Sequence, residues 1–163
     1  MFSCMNWQEI NAKFNSLIKQ LFHDEEWQNR AEAARELGLL EEGRAVNLLC
    51  RALKSEKDYM VINRIIEALG RIGDGKATLK IIDKLEEEQK KGEIDKYRII
   101  YILESLIKIK DKRALGYIGA YLKFPDEELQ GIAQRAFDII EPNWREILTR
   151  EHKKSFKEIF KKG

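Results

Sequence analysis

Ala68-Leu69-Gly70-Arg71-Ile72-Gly73-Asp74-Gly75-Lys76-Ala77 carries an apolar helical end into a glycine-bracketed corner, then an acid, a base two residues on, and the first alanine of another helix. The register returns at Leu37-Gly38-Leu39-Leu40-Glu41-Glu42-Gly43-Arg44-Ala45. It returns again, without its glycines, at Leu106-Ile107-Lys108-Ile109-Lys110-Asp111-Lys112-Arg113-Ala114. One helix-turn-helix unit is being repeated.

The interval can be measured outward from that corner. Leu17 to Leu49, Leu21 to Leu53, Trp27 to Tyr59 and Leu37 to Leu69 are each separated by 32 residues. Leu69 to Leu106 takes 37 and Leu106 to Phe137 takes 31. The longer step is absorbed by Glu86-Glu87-Glu88-Gln89-Lys90-Lys91-Gly92, which predicts a helix extended beyond its partner and stopped at Gly92, a common residue just past a helix end. A period in this range marks a solenoid, whose units cannot bury their apolar faces singly.

Aligning the units stacks their apolar positions. Leu37, Leu69, Leu106 and Phe137 form one column, and Leu40, Ile72, Ile109 and Ile140 another. On the second helices Leu49, Ile81 and Ile118 align, as do Leu53, Leu85 and Leu122. These columns predict a continuous core. Ahead of them, Trp7, Ile10, Phe14, Leu17, Ile18, Leu21 and Phe22 recur at helical spacing and predict an amphipathic opening helix. The fourth unit departs as a cap should: Gln130 and Gln134 stand where inner units carry Ile62, Ile99, Ile66 and Leu103, and Pro142 replaces the corner acid. Its closing helix, from about Asn143, should turn Trp144, Ile147 and Leu148 inward and continue through Phe156, Ile159 and Phe160.

Composition narrows the function classes. Charged residues make up 36% of the 163-residue chain, yet the net charge is only +2. Interspersed charge of both signs fits solvated helix faces better than a nucleic-acid footprint. From Arg145 onward, however, seven bases face three acids. Lys153, Lys154, Lys157, Lys161 and Lys162 lie on this amphipathic end, which is expected either to cap the last unit or to touch phosphates, an acidic protein or an anionic membrane. The start has no basic segment followed by an apolar run, and no uncharged stretch approaches the ~20 residues of a membrane span. Cys4 and Cys50 match no metal-ligand or CxxC spacing, so a reduced, cytoplasmic chain is expected.

The Leu-Gly-x-Ile-Gly-Asp-x-x-Ala run resembles HEAT repeats, in the short prokaryotic form also found in phycobilisome bilin lyases. The resemblance covers about Trp27 to Ile140, with half-units at either end. It implies an all-α, right-handed α-solenoid of about four HEAT-like hairpins plus terminal capping helices, with first helices convex and second helices lining a concave groove. The expected layout is a single domain over 1–163: a cap helix at about 6–22, then repeats at about 24–54, 58–91, 95–123 and 126–163.

Corner pairs Glu42/Arg44, Asp74/Lys76 and Asp111/Arg113 are read as an ion-pair ladder that sets register, with an alternative in which the bases meet an acidic partner. A helical wheel places Arg44, Asn47, Leu48 and Arg51 opposite the core side of the first unit's second helix. Lys76, Leu79, Lys80 and Asp83 follow in the second unit, and Arg113 and Tyr117 in the third. Aliphatic, aromatic and arginine residues among charged neighbours are what interfaces use. These are the candidate partner-binding residues. His23 and His152 are too few and too separated for metal chemistry, Cys50 aligns with Ile18 and Ile82 as a small hydrophobe, and no phosphate loop or nucleophilic constellation stands out. The expectation is a non-catalytic scaffold without cofactor or metal, holding another protein along its second helices. Nucleic-acid binding through the basic end is the alternative, a bilin-lyase-like or glycosylase-like enzyme follows it, and end helices could self-associate.

Overall fold

The computed structural model describes residues 4–161. Lys162 of the basic end, and Met1, Phe2 and Ser3 of the start, lie outside the described residues. Among the described residues there are ten α-helices and no strand, in two compact units, one ending at Asp74 and the other starting at Gly75.

The first unit opens with α1 (Trp7–His23), whose Asn6 side chain accepts from the Glu9 N–H while the Glu9 carboxylate accepts from the Asn6 N–H. This capping box satisfies two amide donors that a helix start leaves open. Helix α2 (Trp27–Leu40) follows, then a 3₁₀ turn over Gly43–Ala45, α3 (Val46–Ser55) and α4 (Tyr59–Ile72). Phe14, Leu17 and Leu21 of α1, Ala33, Ala34 and Leu37 of α2, Leu49 and Leu53 of α3, and Val61, Ile65 and Leu69 of α4 are buried in this unit's core. Where α2 approaches α4, a Cβ added at Gly38 would lie 2.8 Å from the Ala68 Cα.

A buried-edge ion pair ties this unit's two hairpins. Arg30 donates to both Glu56 oxygens, at 2.9 and 3.1 Å, and to the carbonyls of Asp24 and Glu25, each at 3.0 Å. Burial pushes the Glu56 carboxyl up, but bonds from Arg30 and from the Asp58 and Lys57 N–H groups outweigh it and hold the group below its ordinary 4.5. Because the folded value is depressed, its contribution is present above the unfolded value and is lost as pH falls through the folded one. Glu56→Gln is therefore expected to lower stability at pH 7 by about 1–3 kcal/mol. It should also flatten the acid-side decline below the ordinary 4.5, as followed by chemical denaturation across pH.

In the second unit a 3₁₀ turn over Gly75–Ala77 leads into α5 (Thr78–Gln89), followed by α6 (Lys96–Ile109), a 3₁₀ turn over Lys112–Ala114 and α7 (Leu115–Ile118). Another 3₁₀ turn, Gly119–Tyr121, precedes α8 (Glu127–Ile140), α9 (Trp144–Arg150) and α10 (Phe156–Ile159). Ile81, Leu85, Ile99, Leu103, Leu106, Ile118 and Phe137 are fully buried here.

The repeat is written into the backbone. The four first helices α2, α4, α6 and α8 are each 14 residues long. Three of them end in a left-handed residue at one register position: Glu41 (φ 53°), Gly73 (φ 77°) and Lys110 (φ 60°). Gly73 adopts this freely, whereas Glu41 and Lys110 give up about 1–2 kcal/mol each to hold the same corner.

Two expectations are corrected. Gly92 is not the stop of α5. That helix ends at Gln89, and Lys90 stays right-handed, its N–H bonding the Glu86 and Glu88 carbonyls, so no left-handed residue is needed. The closing helix is not continuous either. It breaks after Arg150, turns over Glu151–Lys154, where the Lys154 N–H meets the Glu151 carbonyl, and restarts at a second capping box between Ser155 and Glu158. The break brings Phe156 and Phe160 back onto Phe137, with ring centroids 5.6 and 5.8 Å away. The expected capping role of these rings is found, from a short turn of helix and not from a long basic one.

Candidate partner-binding surface

In the first unit the candidate residues sit on and just before α3, beside α1. The two helices share a register, Leu17 of α1 matching Leu49 of α3, so α1 is itself a second helix lying next to another. Arg44 Nη1 donates to Asn11 Oδ1 at 2.6 Å and Nε donates to Glu42 at 2.5 Å. Its guanidinium lies 4.0 Å over the Phe14 ring and 5.3 Å from the Trp7 ring. Two turns along, Arg51 lies 5.8 Å over Phe22. Asn47 is exposed and Leu48 half-buried between them.

The hydrophobic spacing that marks Trp7 as core misplaces it: the indole is 68% exposed. Phe14 is buried and Phe22 half-buried, so the stripe is core at the middle of the helix and reaches the surface toward both ends. The resulting face alternates aromatic rings from α1 with guanidinium groups from α3 and the 3₁₀ turn before it. The 32-residue match between the two helices is the signal that could have found it.

The second unit treats its candidates unequally. Lys76 in the 3₁₀ turn and Leu79, Lys80 and Asp83 at the start of α5 are exposed, Leu79 at 47%. Arg113 is tied down: Nε reaches both Asp111 oxygens at 3.1 and 3.0 Å, and Nη2 donates to Asp111 at 2.6 Å and to the Gly75 carbonyl at 3.2 Å. Burial lifts the Asp111 carboxyl, and the bonds from Arg113 more than reverse this, leaving it below the usual range. The corner pairs Glu42/Arg44 and Asp111/Arg113 thus form within their own units, and Lys112 extends the link to Glu141 of the next hairpin at 2.8 Å. Asp74 closes one unit and Lys76 belongs to the other.

Tyr117 is covered by the chain itself. Lys157 Nζ sits 4.7 Å over its ring. Beside it, a Cβ at Gly116 would lie 3.0 Å from the Lys157 Cα, and one at Gly119 would lie 2.5 Å from the Phe156 ring. Helix α10 therefore rests on a floor of glycines in the third second helix. Gly116 and Gly119, where the other second helices carry Asn47, Leu79, Cys50 and Ile82, are the sequence mark of that seat.

Among the described residues no group of three His, Cys, Asp or Glu is placed to hold a metal ion, and no helix is long and apolar enough to cross a membrane. Cys50 is half-buried on α3, and His23 and His152 are exposed and far apart in sequence.

The chain resembles known proteins both in sequence family and in fold. Residues 14–93 match the family model described as HEAT repeats. The chain is also similar to a solved structure of the complex of CpcE and CpcF of phycocyanin lyase from Nostoc sp. PCC7120, at 26% identity and a TM-score of 0.69. That similarity covers 86% of this chain and 57% of the other, so the present chain spans little more than half the length of the protein it matches. No curated protein matches it.

Proposed function

On the premise that residues 14–93 are HEAT repeats, we propose that the chain is a non-catalytic adaptor that holds another protein on its second helices, chiefly on the α1–α3 face of the first unit. The observation that carries this reading is the arginine-on-aromatic row, with Arg44 over Phe14 and Trp7 and Arg51 over Phe22. Tryptophan and arginine dominate the energetics of protein interfaces. Side chains already ordered by stacking lose less entropy on binding. The similar solved structure is a complex of two subunits, which supports a protein as partner.

The test is a double variant, Trp7→Ala with Arg51→Glu. Against the partner captured by the unaltered chain, the variant is expected to bind about 30-fold or more weakly, the loss of one hot spot's ~2 kcal/mol, while its helical circular dichroism is unchanged. Equal affinity would remove this face from the proposal.

A second reading, a subunit of a lyase, has one observation in its favour: the similar structure is of a phycocyanin lyase. Bilin transfer to an acceptor protein by the purified chain, alone or with its partner, would establish it. The nucleic-acid reading loses ground, since Lys154 is paired to Glu151 at 2.7 Å and Lys157 is engaged by Tyr117.

A further inference from the structure

The register that should be core in the fourth hairpin is polar, and a cavity faces it. In the inner hairpins Ile62, Ile66, Ile99 and Leu103 are all buried, none more than 8% exposed. Their counterparts Gln130 and Gln134 are half-buried and exposed, and they line a cavity of about 590 Å³. That volume falls within the ~300–1,000 Å³ of small-molecule sites. Leu122, Trp144 and Phe156 supply apolar wall, and Lys123 is the charged residue of the lining. Two glutamines that merely finished a repeat stack would face water alone. Here they line a cavity together with Trp144 and Phe156.

The wall is held still. Trp144 donates Nε1–H to Asp138 at 2.8 Å and packs on Phe137 at 5.1 Å, while Phe156 is set against Phe137 and Gly119. The polar groups are left open. Neither glutamine side-chain amide, nor the Lys123 ammonium, has a hydrogen-bond or ion-pair partner among the described residues. One unpaired cation, two amides and an apolar wall complement a ligand with a single anionic end and an apolar body.

We propose that this cavity binds a fatty-acid-like monocarboxylate, its carboxylate taken by Lys123 with Gln130 and Gln134, and its alkyl chain laid between Trp144, Phe156 and Leu122. The site is independent of the α1–α3 face, so either can fail without the other.

Dodecanoate and its uncharged methyl ester, titrated calorimetrically into the whole chain, separate the contributions. Dodecanoate is expected to bind one to one, about tenfold or more tighter than the ester. Lys123→Gln should bring dodecanoate down to the ester's affinity and leave the ester unchanged. Gln134→Trp and, separately, Ala120→Trp should fill the cavity and abolish both, and either variant suffices if the other fails to fold. No dodecanoate binding by about 1 mM, or binding that survives the cavity-filling variants, overturns the assignment. Equal affinity for acid and ester overturns the role of Lys123.

Discussion

Phe137→Ala is expected to cost about 3–5 kcal/mol and to release the C-terminal segment in the same step. Phe137 has no exposed surface, and three rings converge on it: Trp144 at 5.1 Å, Phe156 at 5.6 Å and Phe160 at 5.8 Å. Tilted and edge-on pairs of this kind add about 0.5–1.5 kcal/mol each beyond burial. Truncation removes the common member of all three pairs, so Phe156 loses its ring partner and keeps its seat on Gly119. Denaturant unfolding gives the energetic loss. Faster tryptic cleavage at Lys153 and Lys154, under native conditions, reports the release. Phe137→Leu, which keeps most of the volume, should be milder and leave cleavage slow. A loss under about 1 kcal/mol with an unchanged cleavage rate would mean that the segment is held by something other than this cluster.

How far the fold was legible follows from the same residue. Phe137 belongs to the column begun by Leu37, Leu69 and Leu106, and all four are completely buried. A buried position on a repeated hairpin sees the same surroundings each time, so its chemistry recurs at the period of the chain. The alanines ending the three corner 3₁₀ turns that follow α2, α4 and α6, Ala45, Ala77 and Ala114, recur for that reason and are fully buried too. The neighbouring column is less uniform: Leu40 and Ile72 are half-buried, at the edge of the core. Surfaces do not recur in this way. Arg44, Lys76 and Arg113 share a register yet differ in role, because Arg44 finds rings of α1 while Arg113 finds Asp111 and a carbonyl. The return of α10 was hidden for another reason. The spacing of Phe156 and Phe160 predicts an apolar face, but not that the chain breaks after Arg150 to deliver it. Only the glycines at 116 and 119, a costly choice in a helix unless something must come close, pointed to a visitor.

Gly38 offers the sharpest test of close approach as the reason for a glycine. It lies inside α2, where alanine would normally stabilise a helix by about 0.8–1.0 kcal/mol. Gly38→Ala is nevertheless expected to destabilise the chain, by about 1–3 kcal/mol, and Gly38→Val by more. The added Cβ would stand 2.8 Å from the Ala68 Cα and 3.0 Å from its Cβ. The nearer atom is backbone and cannot rotate away, so α2 and α4 must separate and loosen the contacts of Leu37 and Leu69 on either side. Ala68→Gly in the same chain removes the Cβ clash and leaves the Cα clash, so rescue should be partial. Full rescue would place the strain in the side chain alone, and a Gly38→Ala variant more stable than the parent would show that the helices have room to spare. The consequence reaches the proposed interface: Arg44 and Arg51 are held to α1 by a framework that α2 and α4 support. A Gly38 variant should therefore weaken partner binding through a residue that is not itself part of the proposed contact, and by less than Trp7→Ala with Arg51→Glu if the unit stays folded.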